Sequence, residues 1–138
     1  MVGIHQTFYE SDFVSVLYHE EENYIQVVWL GAPSLEKVKL GLEEILNGLQ
    51  ITKCKKVLMD NCKVQGSWAS ANKWIVSQWT PLSFKAGLDK VVFVVADNLL
   101  VKVSIDNLRQ KLLNQKHIKA DKIAIFKTEE EAKSWLLD

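Results

Sequence analysis

Chemistry-bearing residues are sparse in this 138-residue chain, and each absence narrows what the chain does. There are two cysteines, Cys54 and Cys62, too few for a disulfide framework. They flank an extended run, and a strand of that length spans roughly 25 Å, far beyond disulfide reach. Free thiols point to a reducing compartment, so the expected location is cytoplasmic. Residues 1–13 carry neither a charged leader nor an apolar core segment, and no run approaches membrane-spanning length, so no stable membrane insertion is expected. Charge of one sign is absent too. Lys plus Arg and Asp plus Glu both number 17, and a net charge of zero removes the electrostatic case for nucleic acid or an anionic membrane surface.

Catalytic and cofactor motifs are also missing. His5, His19 and His117 fall in three separate segments, none at metal-ligand spacing with another His or Cys, and each reads as a surface residue. No G-x-S-x-G, P-loop or G-x-G-x-x-G occurs. Gly31, Gly41, Gly48, Gly66 and Gly87 punctuate elements and form no phosphate cradle. No cofactor and no metal is expected, and no catalytic residue is assigned. Cys62 as a nucleophile would need a base, although a nearby helix N-terminus would lower its pKa.

What is present is patterned hydrophobicity. The length predicts one domain over 1–138, large enough to bury a core without staples. Residues 1–12 are weakly patterned: Ile4, Gln6 and Phe8 allow a strand, and the segment also reads as a mobile arm. Phe13–Tyr18 and Tyr24–Leu30 are β-rich runs around the charged turn His19–Asn23, which predicts an antiparallel hairpin. Gly31-Ala32-Pro33-Ser34 breaks the second strand. Ser34 then caps a helix whose stripe is Leu35, Val38, Leu42, Ile45, Leu46 and Leu49; Gly41 on it would permit close packing on the sheet.

The stretch from Lys55 to Ala86 organises the rest. Lys56–Asp60 is a short apolar run ending in an acid, which suits a fully buried strand. The chain is expected to turn after Asp60, with Asn61 and Gly66 tolerating the turn and Ser67 capping a helix. Trp68, Ala71, Ile75, Trp79, Leu82 and Ala86 recur at helical spacing and define its inner face. Pro81 is expected to kink or end that helix, and Gly87 to stop it. Trp74 stands about 120° off the stripe at roughly 100° per residue. It reads either as packed under a neighbouring segment or as an exposed partner anchor. Ser67 reads as a cap, and a phosphate there would gain from the helix N-terminus.

Lys90–Ala96 is the most apolar run and reads as an interior strand. Asp97-Asn98 then caps a helix reaching Asn114, with a break expected near Ser104. Lys122–Phe126 is a last strand. Thr128 and Glu131 form a capping box for a terminal helix fastened by Ala132, Trp135 and Leu136. The order is β-β-α-β-α-β-α-β-α, an α/β fold with a mixed, mostly parallel sheet of about five strands and about four helices. In such folds ligands and partners meet the carboxyl ends of the strands, which singles out Asp60, Asn61, Cys62 and Ser67.

The residues filling this order resemble the STAS domain and its SpoIIAA-like relatives, notably the small bacterial members, over almost the whole chain from Phe13. The carriers are the hairpin ending in Val28-Trp29, the strand Val57-Leu58-Met59-Asp60 with its loop, Lys85-Ala86-Gly87-Leu88-Asp89-Lys90-Val91, and Glu131-Ala132-Lys133-Ser134-Trp135-Leu136. These motifs are largely structural. The resemblance implies a SpoIIAA-like fold and a non-enzymatic regulatory role through a protein partner. In the anti-sigma antagonists the loop after the central strand carries Asp-Ser with a phosphorylated serine. Here Asp60 carries over and Asn61 stands in the serine's place, so the resemblance does not bring the phospho-switch with it. The expected partner surface is Asp60, Asn61, Cys62, Ser67 and Trp74, with self-association into a homodimer as a further expectation. The alternative is an apolar or lipid-like small-ligand binder, since CRAL-TRIO carriers resemble this arrangement loosely. It requires a pocket of a few hundred Å³ between the Trp-rich helix and the Leu99–Leu113 segment.

Overall fold

The computed structural model describes residues 5–116 and 118–138; Ile4 and His117 of the sequence reading lie outside them. It is an α/β structure with a mixed sheet. The strands are β1 His5–Glu10, β2 Val14–His19, β3 Tyr24–Gly31, β4 Lys56–Val64, β5 Lys90–Val94 and β6 Ile123–Phe126. The helices are α1 Leu35–Thr52, α2 Ala69–Trp74, α3 Thr80–Lys85, α4 Leu99–Leu113 and α5 Glu129–Leu137, and a π-turn over Ile75–Trp79 joins α2 to α3. Spatial order equals chain order, β1-β2-β3-β4-β5-β6. The first two pairings are antiparallel and the last three parallel.

The sheet has six strands where the sequence pattern led to about five. The extra one is β1, paired antiparallel with β2 from His5↔His19 to Glu10↔Ser15, so residues 5–10 are a strand and not an arm. The two apolar residues of β1, Phe8 and Tyr9, pack against the core partly buried and side by side in sequence, which is why its pattern is weak. His19, expected in the charged turn, closes β2, stacks on Tyr24 at 4.4 Å and meets Gln26 Oε1 through Nε2 at 2.8 Å.

Strictly sequential parallel strands with right-handed crossovers send every crossover helix to the same face. The packing agrees. Ile25, Val57, Val91 and Ile123 stand in one register row and pack with α1, α2, α3 and α4 in the main core. The alternate residues Leu58, Val92 and Val94 face the other way and meet Ala132 and Leu136 of α5 in a second, smaller core. Period-two alternation thus serves two cores, which is why β4 and β5 read as continuous apolar runs.

Local signals fix several boundaries. Ser34 accepts from the Lys37 N–H at 3.3 Å and Asn98 from the Val101 N–H at 3.3 Å. Thr128 accepts from the Glu131 N–H at 3.2 Å, but the Glu131 carboxylate takes the Thr128 hydroxyl at 3.0 Å and not its backbone N–H. Ser104 does not break α4, which runs unbroken from Leu99 to Leu113, because its hydroxyl donates back to Val101 O at 2.9 Å inside the helix. Gly41 packs against Trp29 so closely that a Cβ there would lie well inside contact with Trp29 Cη2.

The Trp-rich helix departs from its periodicity. Trp68, Ala71, Ile75 and Trp79 are buried as the stripe requires, yet Leu82 is 54% exposed and Ser83 is fully buried. The π-turn is the cause. The Thr80 N–H and hydroxyl both donate to Ile75 O, a five-residue step, the hydroxyl at 2.8 Å. One residue is thereby inserted into the helical count, and the inner face shifts by one position. Pro81, which lacks an N–H, follows directly; the helix neither ends there nor breaks, and Gly87 at φ +112° ends it after α3.

Candidate functional site at the carboxyl end of the central strand

The chain does not turn after Asp60. β4 continues to Val64, with β5 leaving it at Asp60↔Val94 while β3 stays paired. Between Val28↔Asp60 and Leu30↔Lys63, β4 holds one residue more than β3, a bulge that resets the alternation. Asp60 and Cys62 therefore lie on the α5 side, Asn61 turns into the main core, and Val64 returns to that core after the exposed Lys63. A bulge needs no turn residue, so the reading of Asn61 as a turn former is corrected: it is a strand residue, 2% exposed.

Asp60 Oδ1 accepts from the Cys62 N–H at 2.9 Å. Cys62 is exposed, yet its thiol is pushed up to about 11, first by partial desolvation, then by its hydrogen bond to the Asp60 carboxylate and that group's charge; the Ala96 amide opposes weakly. A helix N-terminus would have lowered this pKa; the Asp60 carboxylate beside the thiol raises it. With its pKa raised to about 11, the exposed Cys62 thiol is protonated at neutral pH. Cys54 is buried, and its Sγ meets Asn23 O and Lys56 O, each at 3.3 Å; both cysteines are free.

Asn61 Nδ2 donates to Met59 O at 3.1 Å, and its Oδ1 is buried without a partner. It lines a cavity of about 20 Å³ with Trp29, Met59, Trp68, Trp79 and Phe93. That space, under the Trp-rich helix and against Leu108 and Leu112 of α4, is where the ligand-binding reading needs a few hundred Å³. The core there is close to solid, which counts against that reading.

Ser67, the expected cap, is exposed and accepts from the Ala69 N–H at 3.0 Å, but it lies one position before the observed cap, Trp68, which makes no side-chain bond. Trp74 is half-buried against the main core, with Lys39 Nζ 5.5 Å from its ring centre. Lys39 belongs to α1, so Trp74 faces the α1 side of the helix. The structure gathers Asp60, Asn61 and Cys62 on one strand end, while Trp74 packs on the helix toward α1.

Pattern reading missed the polar pin that positions this end of the molecule. Ser104 Oγ accepts from the Trp68 N–H, and Asn72 Nδ2 donates to Ser104 O, both at 3.0 Å and buried. The pin sets the start of α2 beside the first turns of α4. Those turns present Leu99, Leu100 and Val103 to solvent at 77%, 66% and 48% exposure. The signal was in the sequence as three apolar residues of α4 lying off the helix's inner stripe of Val101, Ile105 and Leu108.

Among the described residues no group of three or more His, Cys, Asp or Glu is placed to hold a metal ion, and no helix is long and apolar enough to cross a membrane. Comparison with protein-family models and with curated proteins finds no match for this chain.

Proposed function

We propose that this chain is a non-enzymatic, STAS-like interaction module whose protein partner docks at the carboxyl end of β4 and the first turns of α4. The observation that carries the reading is the run of Leu99, Leu100 and Val103, three large apolar side chains left to solvent side by side. Exposed apolar surface of this kind marks contact sites. Positions 99 and 103, and 100 and 103, are neighbours on a helix, so the three make one patch. The patch lies on a rigid helix held by the Ser104 pin, so little ordering is needed on docking. The resemblance to STAS domains supports the same end of the fold, without a phospho-serine at Asn61.

The test is quantitative capture by wild type, by Leu99→Asp/Leu100→Asp, and by Leu40→Asp as an exposed control on α1. A stoichiometric partner lost with the double variant and kept with Leu40→Asp is the expected result. A partner retained equally by all three would remove the reading. Native mass spectrometry of the purified protein separates a partner from a retained small ligand.

A further inference from the structure

β6 is the last strand of the sheet, so among the described residues one of its edges has no strand beside it. An open cleft of about 560 Å³ runs along it. Its floor includes every residue of Ile123–Phe126 and then Lys127. Successive strand residues point to opposite faces of a sheet. A cleft lined by five successive residues therefore lies along the strand's edge and not over a face. Lys102, Asp106 and Arg109 of α4 wall it on one side, and Trp135 of α5 on the other.

The backbone direction follows from two bonds. Phe126 O accepts from the Val95 N–H at 2.9 Å, so Phe126 turns its carbonyl toward the β5 side. By alternation Ala124 does the same, while Ile123 and Ile125 turn their peptide groups to the cleft. Arg109 Nε donates to Ile123 O at 3.1 Å from α4, as that alternation requires. The N–H and carbonyl of Ile125 are left facing the cleft.

The charges of the walls select the occupant. Three cations and one anion line the cleft, and Lys102 is paired with Asp106 at 2.9 Å. Arg109 and Lys127 are in no ion pair among the described residues. A second copy pairing β6 against β6 would set these cations against their own counterparts, which opposes it. We infer that the free edge of β6 receives an extended acidic peptide segment, added as a seventh strand between α4 and α5. Main-chain bonds to Ile125 would supply the pairing, Arg109 and Lys127 would meet carboxylates, and Trp135 would flank an apolar side chain. This surface is separate from the apolar patch on α4, and the inference does not rest on the function proposed above.

The probe is an N-acetylated, C-amidated hexapeptide alternating valine with glutamate, titrated into 15N-labelled protein at low millimolar concentration. The expected result is amide shifts confined to 122–127 and the facing turns of α4. Lys127→Glu, an exposed change that leaves the fold alone, weakens binding about fivefold or more, since close opposite charges become like charges. Methylating the peptide's alternate backbone nitrogens abolishes binding. Three results overturn the proposal: no shift at 122–127 up to millimolar peptide, equal binding of the methylated peptide, or a light-scattering mass showing that copies of the chain already cover the edge.

Discussion

The Trp68 N–H, at the entry to α2, donates to the hydroxyl of Ser104 within α4 across 3.0 Å, and both residues are buried. The same hydroxyl donates to Val101 O at 2.9 Å. Ser104→Ala therefore leaves a buried N–H without its acceptor. The expected cost is about 1–3 kcal/mol, read as a lower urea midpoint at unchanged slope. A midpoint equal to wild type would mean that the two helices do not depend on this pin.

Two glycines on one face of α1 are expected to answer alanine oppositely. At Gly41 the new methyl drives into the six-membered ring of Trp29, a rigid group already packed edge-on against Trp68 at 4.9 Å. Gly41→Ala should cost about 1–3 kcal/mol and change tryptophan emission. At Gly48 the nearest atom is Ile25 Cδ1 at 3.2 Å, the movable tip of a side chain. Gly48→Ala should be neutral, or stabilising by up to about 1 kcal/mol through helix propensity. Thermal unfolding of both variants checks the contrast.

The π-turn makes a prediction that helical periodicity reverses. Counting by three and four places Leu82 in the core and Ser83 outside. The structure exposes Leu82 and buries Ser83, whose hydroxyl donates to Trp79 O at 2.9 Å. Leu82→Gln should change stability by no more than about 0.5 kcal/mol. Ser83→Leu should cost about 1–3 kcal/mol through overpacking. Denaturant titrations giving the opposite order would restore an uninterrupted α-helix from Ala69 to Lys85.

These cases separate what the residues announce from what they conceal. Caps at Ser34, Asn98 and Thr128 and the apolar runs of β4 and β5 are short-range facts, so α/β class and element order are legible. The bulge in β4 and the π-turn each insert one residue through hydrogen bonds that depend on a packed neighbour, and no window of sequence reports them. β1 hides because its two apolar residues packed on the core, Phe8 and Tyr9, are adjacent and do not alternate. At the candidate site, the strand end around Asp60 was legible from its place in the fold. The inward turn of Asn61 and the Ser104 pin were not, because each requires knowing which element lies opposite.

Cys62 offers a test of the strand end itself. Its thiol stands at about 11 against an ordinary 9.0, raised by partial desolvation and then by Asp60. A raised pKa means less thiolate at every pH below it, by about a hundredfold for two units. A more basic thiolate attacks faster, and with a Brønsted slope of about 0.4–0.5 this recovers roughly tenfold. Iodoacetamide should therefore alkylate Cys62 at pH 8.5 about tenfold more slowly than it alkylates the unfolded chain, and the rate should keep rising with pH to near 11. Cys54 is buried, so modification of the folded protein reads Cys62. Asp60→Asn keeps an oxygen to accept the Cys62 N–H but removes the charge that holds the proton on sulfur. Alkylation should then accelerate severalfold, to a rate still below that of the unfolded chain because partial desolvation of the sulfur remains. A wild-type rate already equal to that of the unfolded chain, or one unmoved by Asp60→Asn, would mean that Asp60 and the Cys62 sulfur do not face each other. That result would place the bulge elsewhere on β4.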